Sequence, residues 1–157
     1  MKKIALFAVM LLVSIAANAQ FEKGKIYGEA SLSSFNLGSD AKKFQFGIGA
    51  RGGYLFMDNV MALGEIRFNH SEGSNDTYTF GAGARYYIEQ NGLYLGAMLK
   101  FKRNAAKKND FMPGVHIGYA FFLSQKITLE PELYMDFSTR GFENSSYGLG
   151  VGIGIYL

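Results

Sequence analysis

The sequence contains no cysteine and no tryptophan, and only two of its 157 residues are proline. Without cysteine no disulfide can hold the chain together, so packing or a closed set of hydrogen bonds must do so. No window beyond the first twenty residues has a helical period of apolar side chains, which argues against an all-helical fold. No group of residues has the spacing of a metal site, so no metal or other cofactor is predicted.

The first twenty residues, MKKIALFAVMLLVSIAANAQ, have the order of a secretory signal peptide: lysines, an apolar run, then small residues at alternate positions. A membrane-spanning helix is the alternative, but the run from Ile4 to Ala17 is short against the roughly 20 residues that a span needs. We therefore predict residues 1–19 to be a signal peptide, cleaved between Ala19 and Gln20, and residues 20–157 to form one domain.

The formal net charge of +3 and the pI near 9.0 depend partly on Lys2 and Lys3, which this cleavage removes. No remaining predicted strand has a concentrated basic face, so the sequence predicts no nucleic-acid partner.

Twenty glycines, fourteen phenylalanines and ten tyrosines favour strands over helices. Apolar and polar or glycine residues alternate in eight runs, at 26–33, 44–56, 62–69, 78–88, 93–102, 111–121, 127–137 and 145–157. Short turns alternate with longer polar segments between the runs, which predicts an antiparallel up-and-down meander. Eight strands of this kind close into a barrel, and a small closed barrel has little need to form oligomers.

Two kinds of barrel differ in which face is apolar. A soluble lipocalin-like barrel turns its apolar face inwards, whereas a membrane barrel has a polar interior and an apolar outer band. Here the charged face carries most strand glycines, as a crowded interior requires. The apolar face has aromatic residues at both ends, such as Phe80 and Phe101 towards the long loops and Tyr54 and Tyr86 towards the short turns. Two aromatic girdles favour the membrane barrel.

The final run, SSYGLGVGIGIYL, alternates glycine with aliphatic residues. We predict that its glycines face a narrow lumen, where Arg51 and Tyr134 need the room, and that the strand closes against the first one. Pro131 interrupts the preceding run. Because a closed barrel has no free edge for a residue without an N–H, a local bulge is expected there.

The leader ending in ANAQ, the turn FMDNVMALGE, the segment LEPEL and the alternating last strand resemble the small outer-membrane β-barrel family, often labelled porin-like. The chain is similar in size to the eight-stranded barrel of outer-membrane protein A. The resemblance implies an eight-stranded antiparallel transmembrane β-barrel in the outer membrane of a Gram-negative bacterium. It also implies outer-membrane lipids and the barrel-assembly machinery as partners. In this family the last strand commonly ends on phenylalanine, whereas this chain ends on Leu157.

The inward positions of the predicted barrel carry five residues of each charge. They are Arg51, Arg67, Arg85, Lys100 and Lys102, against Glu29, Glu65, Glu130, Glu132 and Asp136. Buried charges are costly unless they are paired, so this balance predicts an ion-paired network that fills the lumen. His116 also faces the lumen and is predicted to be a hydrogen-bonded structural residue.

Two motifs suggest chemistry but lack the required context. GIGARG, at 47–52, lies within a strand, whereas a dinucleotide fingerprint needs a strand-to-helix turn. His70, Ser71 and Glu72 are adjacent in a polar segment, and adjacent side chains do not converge as a hydrolytic triad must. The sequence therefore predicts no catalytic residues.

The segment KFKRNAAKKND is basic, with Arg103, Lys107 and Lys108 towards its end. One interpretation is a solvated loop tip. The other is contact with the anionic phosphates of lipopolysaccharide.

Three functions remain open from the sequence. They are a structural or interaction barrel with a largely closed lumen, a narrow porin-like channel, and a lipid-modifying enzyme. The short predicted loops favour the first, because they are too short to form a lid or a deep binding pocket.

Overall fold

The computed structural model describes residues 21–36, 45–71, 77–88, 91–104, 109–141 and 145–157. The predicted signal peptide and its cleavage site at Ala19 and Gln20 lie outside these residues. Within the described chain, no helix is long and apolar enough to cross a membrane.

The described residues form one antiparallel sheet that closes on itself. Its strands are β1 (Ile26–Asn36), β2 (Gln45–Met57), β3 (Val60–Ser71), β4 (Thr77–Tyr87), β5 (Leu93–Asn104), β6 (Asn109–Tyr119), β7 (Phe121–Phe122), β8 (Ile127–Asp136) and β9 (Ser146–Tyr156). From β1 to β6 each strand pairs with the next, β8 pairs with β6, β7 and β9, and β9 pairs with β1. Because β6 and β7 pair in turn with β8, they count as one barrel strand, and the predicted eight-stranded up-and-down barrel is confirmed.

Alternate side chains along each strand point into the barrel and out of it, as the sequence pattern predicts. Large apolar side chains are exposed on the outer face. The exposed rings are Tyr54, Phe56 and Tyr86 near the short turns, and Tyr78, Phe80, Phe101, Phe111 and Tyr147 near the longer connections. We call these two ends the turn end and the loop end. Aliphatic residues such as Leu99 and Ile153 cover the outer face between the rings.

The strand around Pro131 differs from the expectation of a bulge. Gly118 pairs with Glu132 and Phe121 pairs with Leu129, so the register between these two barrel strands does not shift. Instead, the ladder is interrupted opposite Pro131, where β6 ends and β7 begins. The backbone N–H of Ala120 donates to Gly92 O on the other side, at 2.8 Å. The missing N–H of proline thus coincides with a gap in the pairing.

The inward glycines of β9 make room for side chains from the neighbouring strands. A methyl group on Gly152 would collide with the carboxylate of Glu29, and one on Gly154 would collide with the hydroxyl of Thr128. The sequence was right that these glycines relieve crowding. At Gly152 and Gly154 the space goes to Glu29 of β1 and Thr128 of β8 rather than to Arg51, whereas Tyr134, the other residue named from the sequence, lies on β8 opposite Gly148.

Inward and outward glycines should respond differently to substitution. A methyl group on Gly83 would collide with the backbone oxygen of Ala97 and lie 2.8 Å from Met98 Cα, whereas one on Gly64 would meet open space. We expect Gly83→Ala to lower the free energy of unfolding by about 1–3 kcal/mol, because backbone atoms cannot move aside easily. Gly64→Ala should raise it by about 0.5–1 kcal/mol through reduced backbone entropy of the unfolded chain.

Urea titration of the two variants in lipid vesicles measures this difference. Equal midpoints for Gly83→Ala and Gly64→Ala would contradict the assigned inward and outward faces.

Candidate functional site

Strand register places charged residues side by side on the inner wall. Glu29 of β1 is paired with Arg51 of β2, and Arg51 is paired with Glu65 of β3. Three neighbouring strands therefore present an acid, a base and an acid at one level of the lumen. All three residues are buried.

Arg51 connects two sides of the lumen. Its Nη1 and Nη2 donate to the two carboxylate oxygens of Glu132 on β8, at 2.7 and 2.6 Å, and its Nε donates to Glu65 Oε2 at 2.6 Å. In the sheet order β1 and β9 lie between β2 and β8, so the two-pronged contact with Glu132 crosses the interior rather than following the wall. Paired N–H donors to one carboxylate give a strong and directional ion pair.

Arg85, on β4, forms a second connection across the lumen. Only 1% of its surface is exposed, and its Nη1 donates to Glu130 Oε2 on β8 at 2.8 Å. The guanidinium carbon lies 3.9 Å from the centre of the Tyr94 ring, within the range of a cation–π contact. This contact and the Glu130 ion pair hold the arginine from two sides.

Towards the loop end, two further cations contact Glu65 and another acid, Asp136. Arg67 Nη2 donates to Glu65 Oε2 at 3.2 Å, and Lys100 Nζ donates to Asp136 Oδ2 at 2.9 Å. Lys100 Nζ is also 3.7 Å from Glu65 Oε1. Arg85 Nη2 lies 3.6 Å from both Glu29 Oε2 and Glu132 Oε2, which connects the two groups of contacts. We call the connected set the lumen network: Glu29, Arg51, Glu65, Arg67, Arg85, Lys100, Glu130, Glu132 and Asp136.

The structure leaves some predicted site residues outside the lumen network. Lys102 is half-buried and makes no ion pair with another described residue. His116 is buried and its Nε2 has no hydrogen-bond partner among the described residues, so the hydrogen bonding of this histidine stays a prediction. Arg103 is exposed at the loop end, and Lys107 and Lys108 lie outside the described residues.

A cluster of buried apolar and aromatic residues closes the turn end of the lumen, which the sequence reasoning did not predict. We call it the aromatic plug: Phe21, Tyr27, Leu55, Met61, Leu63, Tyr87, Tyr94, Ala120 and Tyr156. The signal in the sequence was the position of Leu55, Met61 and Leu63, which are apolar residues on the otherwise polar inward face beside a short turn. Phe21 lies before β1, where no alternation pattern applies.

Phe21 inserts into the barrel from the N-terminal side. Its side chain is fully buried, and its ring stacks on Tyr87 with centres 3.8 Å apart and planes 13° apart. Two hydrogen bonds hold this segment on the turn between β2 and β3. Asn59 N donates to Phe21 O at 2.8 Å, and Lys23 N donates to the Asp58 side chain at Oδ1, at 2.9 Å.

The described residues of the lumen network enclose a small space. A cavity of about 10 Å³ lies among Glu29, Arg51, Arg67, Glu132 and Tyr134. That is about the space of one water molecule. A larger space of about 590 Å³ is lined mainly by outward apolar side chains, including Leu95, Val115, Ile117, Leu133 and Met135. The described residues include no group of three or more metal-binding side chains.

Known proteins share this architecture. The family described as "Outer membrane protein beta-barrel domain" matches residues 5–157 of the chain. The N-terminal β-barrel domain of OprF from Pseudomonas aeruginosa is similar in structure, with a TM-score of 0.70 and 14% identity over 86% of this chain and 98% of that one.

Two further solved structures are similar. Neisserial surface protein A has a TM-score of 0.65 and 16% identity over 83% of this chain and 95% of its own. Ail of Yersinia pestis, whose backbone structure was determined in a phospholipid bilayer nanodisc, has a TM-score of 0.61 and 12% identity over 86% of this chain and 100% of its own. At these identities the likeness is one of fold. No curated protein matches the sequence.

Proposed function

Because the chain belongs to the family of outer membrane protein β-barrel domains and is thus a protein of the bacterial outer membrane, we propose that it acts there as a structural or interaction barrel with a closed lumen. In this proposal the exposed outer face contacts the bilayer, and the connections at the loop end present the protein to the outside. The alternative is a narrow porin-like channel.

The observation that carries the proposal is the lumen network. Arg51 and Arg85 each contact a carboxylate on β8 from distant strands, so hydrogen-bonded ion pairs occupy the cross-section where an ion would pass. An eight-stranded barrel is just wide enough for its own side chains to fill. A hydrated ion could enter only if several buried ion pairs separated, and each separation leaves a buried charge without a partner.

The aromatic plug supports a second barrier at the turn end. Phe21, Tyr87 and Tyr156 are each no more than 2% exposed, and their rings pack edge to face or in parallel. An apolar constriction resists the entry of water and ions. A solute would therefore meet an apolar barrier at the turn end and the lumen network beyond it.

The remaining parts of the proposal concern maturation and partners. We propose that the mature chain begins at Gln20, with Phe21 then next to its N-terminus. The structure of Ail in a phospholipid nanodisc supports lipids as partners of such a barrel. The barrel-assembly machinery is proposed to insert the chain. Lipopolysaccharide is proposed to contact the exposed Arg103. No catalytic role is proposed, because the polar side chains of the lumen network hold one another in ion pairs.

Single-channel recording of the refolded, signal-free chain in planar bilayers tests the proposal. We expect no stable open level above that of bilayers treated with detergent alone. A Lys102→Ala variant provides a matched control, since it removes an inward cation that pairs with no other described residue. Stable, ion-selective channels from the unmodified chain would overturn the closed lumen and favour the porin-like channel.

A further inference from the structure

The buried charges of the lumen network do not balance. Among the described residues, five carboxylates and four cations of this set are buried: Glu29, Glu65, Glu130, Glu132 and Asp136, against Arg51, Arg67, Arg85 and Lys100. At the loop end of the network, Arg67 and Lys100 match Glu65 and Asp136 in number. The excess carboxylate therefore lies among Glu29, Glu130 and Glu132, whose nearest cations are Arg51 and Arg85, and Arg51 also donates to Glu65 at 2.6 Å.

The hydroxyl of Tyr27 lies between two of these acids. It is within hydrogen-bond distance of Glu29 Oε2 and, at 2.7 Å, of Glu130 Oε2. A phenol has one proton and can donate it to only one acceptor at a time. If both acids were ionised, one carboxylate oxygen would face the lone pairs of the Tyr27 oxygen without a proton between them. The Tyr27 oxygen also accepts from Arg85 Nη1 at 3.2 Å, and the contact between Tyr27 and the second acid is where a further proton fits.

The contacts of the two acids decide where that proton is held. Glu130 accepts hydrogen bonds from Thr128 Oγ1 at 2.7 Å, Tyr156 at 3.1 Å and Arg85 Nη1 at 2.8 Å, in addition to Tyr27. Four donors satisfy an ionised carboxylate. Glu29 has only distant cations, Arg51 Nη1 at 3.5 Å and Arg85 Nη2 at 3.6 Å. Both of those arginines make shorter ion pairs elsewhere.

We propose that Glu29 is a proton-binding site inside the barrel, held as a neutral carboxylic acid. Its hydroxyl donates to the oxygen of Tyr27, and Tyr27 donates in turn to the ionised Glu130. This arrangement places one proton in each of the two contacts of the Tyr27 oxygen with Glu29 and Glu130, and it equalises the buried positive and negative charges of the lumen network. The absence of a side chain at Gly152 on β9 leaves the space that the Glu29 carboxyl occupies.

Among the described residues, the groups around Glu29 offer no other source of the missing positive charge. Arg51 on β2 and Arg85 on β4 are already counted, and Gly152 on β9 carries none. From β8, Glu130 and Glu132 add only negative charge. His116 on β6 has a buried Nε2 without a hydrogen-bond partner among the described residues. This suits a neutral imidazole, because an imidazolium has an N–H group at each nitrogen and each would need an acceptor.

Infrared spectroscopy of the full-length mature barrel in lipid at neutral pH tests the assignment directly. A carboxylic acid has a carbonyl stretching band that an ionised carboxylate lacks, and exposed acids are ionised under these conditions. We expect one such band in the wild-type protein and its loss in Glu29→Gln. An absent band in the wild type, or a full band in Glu29→Gln, would overturn the proposal.

Stability measurements on two isosteric variants provide the second readout. The amide of Glu29→Gln donates to Tyr27 as the neutral acid does, so its urea midpoint should equal that of the wild type. Glu130→Gln removes the charge opposite Arg85 and should shift the folding equilibrium about a hundredfold or more towards unfolding. If Glu29→Gln unfolds as readily as Glu130→Gln, or fails to fold, then Glu29 is ionised and the proposal is wrong.

These outcomes are independent of conductance. A barrel that conducts ions would contradict the proposed closed lumen but would leave the infrared assignment of Glu29 intact.

Discussion

Replacement of Arg85 with alanine is expected to lower the free energy of unfolding by about 3–5 kcal/mol. The variant loses the 2.8 Å ion pair with Glu130 and the contact with the face of the Tyr94 ring. The larger cost comes from what remains, because Glu130 is 1% exposed and would keep a negative charge that no other described cation pairs with. Removing one partner of a buried ion pair costs far more stability than replacing both partners with apolar residues of similar volume.

Urea-induced unfolding in lipid vesicles measures the change in stability, and planar-bilayer recording measures its effect on the lumen. Removing the guanidinium also opens a gap between β4 and β8, so Arg85→Ala should show intermittent conductance that the wild type lacks. Lys102→Ala is the control, and its urea midpoint should stay within about 0.5 kcal/mol of the wild type. Similar midpoints for Arg85→Ala and Lys102→Ala would mean that the Glu130 pair contributes little.

The sequence was sufficient to predict the barrel because an alternating strand pattern leaves only two possible directions for each side chain. With a side-chain period of two, each residue either faces the lumen or faces outwards, and the presence of Glu65, Arg67 or Arg85 in a run determines which. Eight runs with alternating short and long connections then leave little choice of topology. The closure of β9 on β1 follows from the need to pair every strand edge.

The partners of individual charges could not be predicted in the same way. Pairing across the lumen depends on the offset between strands that are distant in sequence, and the sequence pattern does not determine that offset. Arg51 and Glu132 are 81 residues apart, and nothing local indicates that they meet. Lys100 and Lys102 are both inward by period, yet only Lys100 reaches a described acid, since Lys102 lies one step closer to the loop end.

The break at Ala120 and the insertion of Phe21 escaped prediction for a different reason. Both residues lie where the backbone is not part of a regular strand, so the two-residue side-chain period does not apply to them. Ala120 interrupts an alternating run, and Phe21 precedes the first run. A proline in the neighbouring strand was the only sign of the break. For Phe21, the apolar inward residues near Asp58 were the only sign that a partner was needed.

Phe21→Ala is expected to lower the free energy of unfolding by about 3–5 kcal/mol, the range for removing a fully buried phenylalanine. Its ring contacts Tyr87, Phe122 and Tyr156, so truncation would leave a cavity at the centre of the aromatic plug. Water can enter that cavity from the turn end. The variant should therefore lose stability in urea titrations and gain access to a small thiol reagent at a cysteine placed at Leu63, which is 5% exposed in the unmodified chain.

Phe56→Ala is the matched control, because Phe56 lies at the same end but is 41% exposed on the outer face. It should lose lipid contact and some stability, yet leave the cysteine at position 63 protected. The comparison separates the packing of the aromatic plug from the general loss of an aromatic ring. If the reagent reaches that cysteine equally slowly in Phe21→Ala and Phe56→Ala, then the turn end is closed by the strands themselves and Phe21 contributes only packing energy.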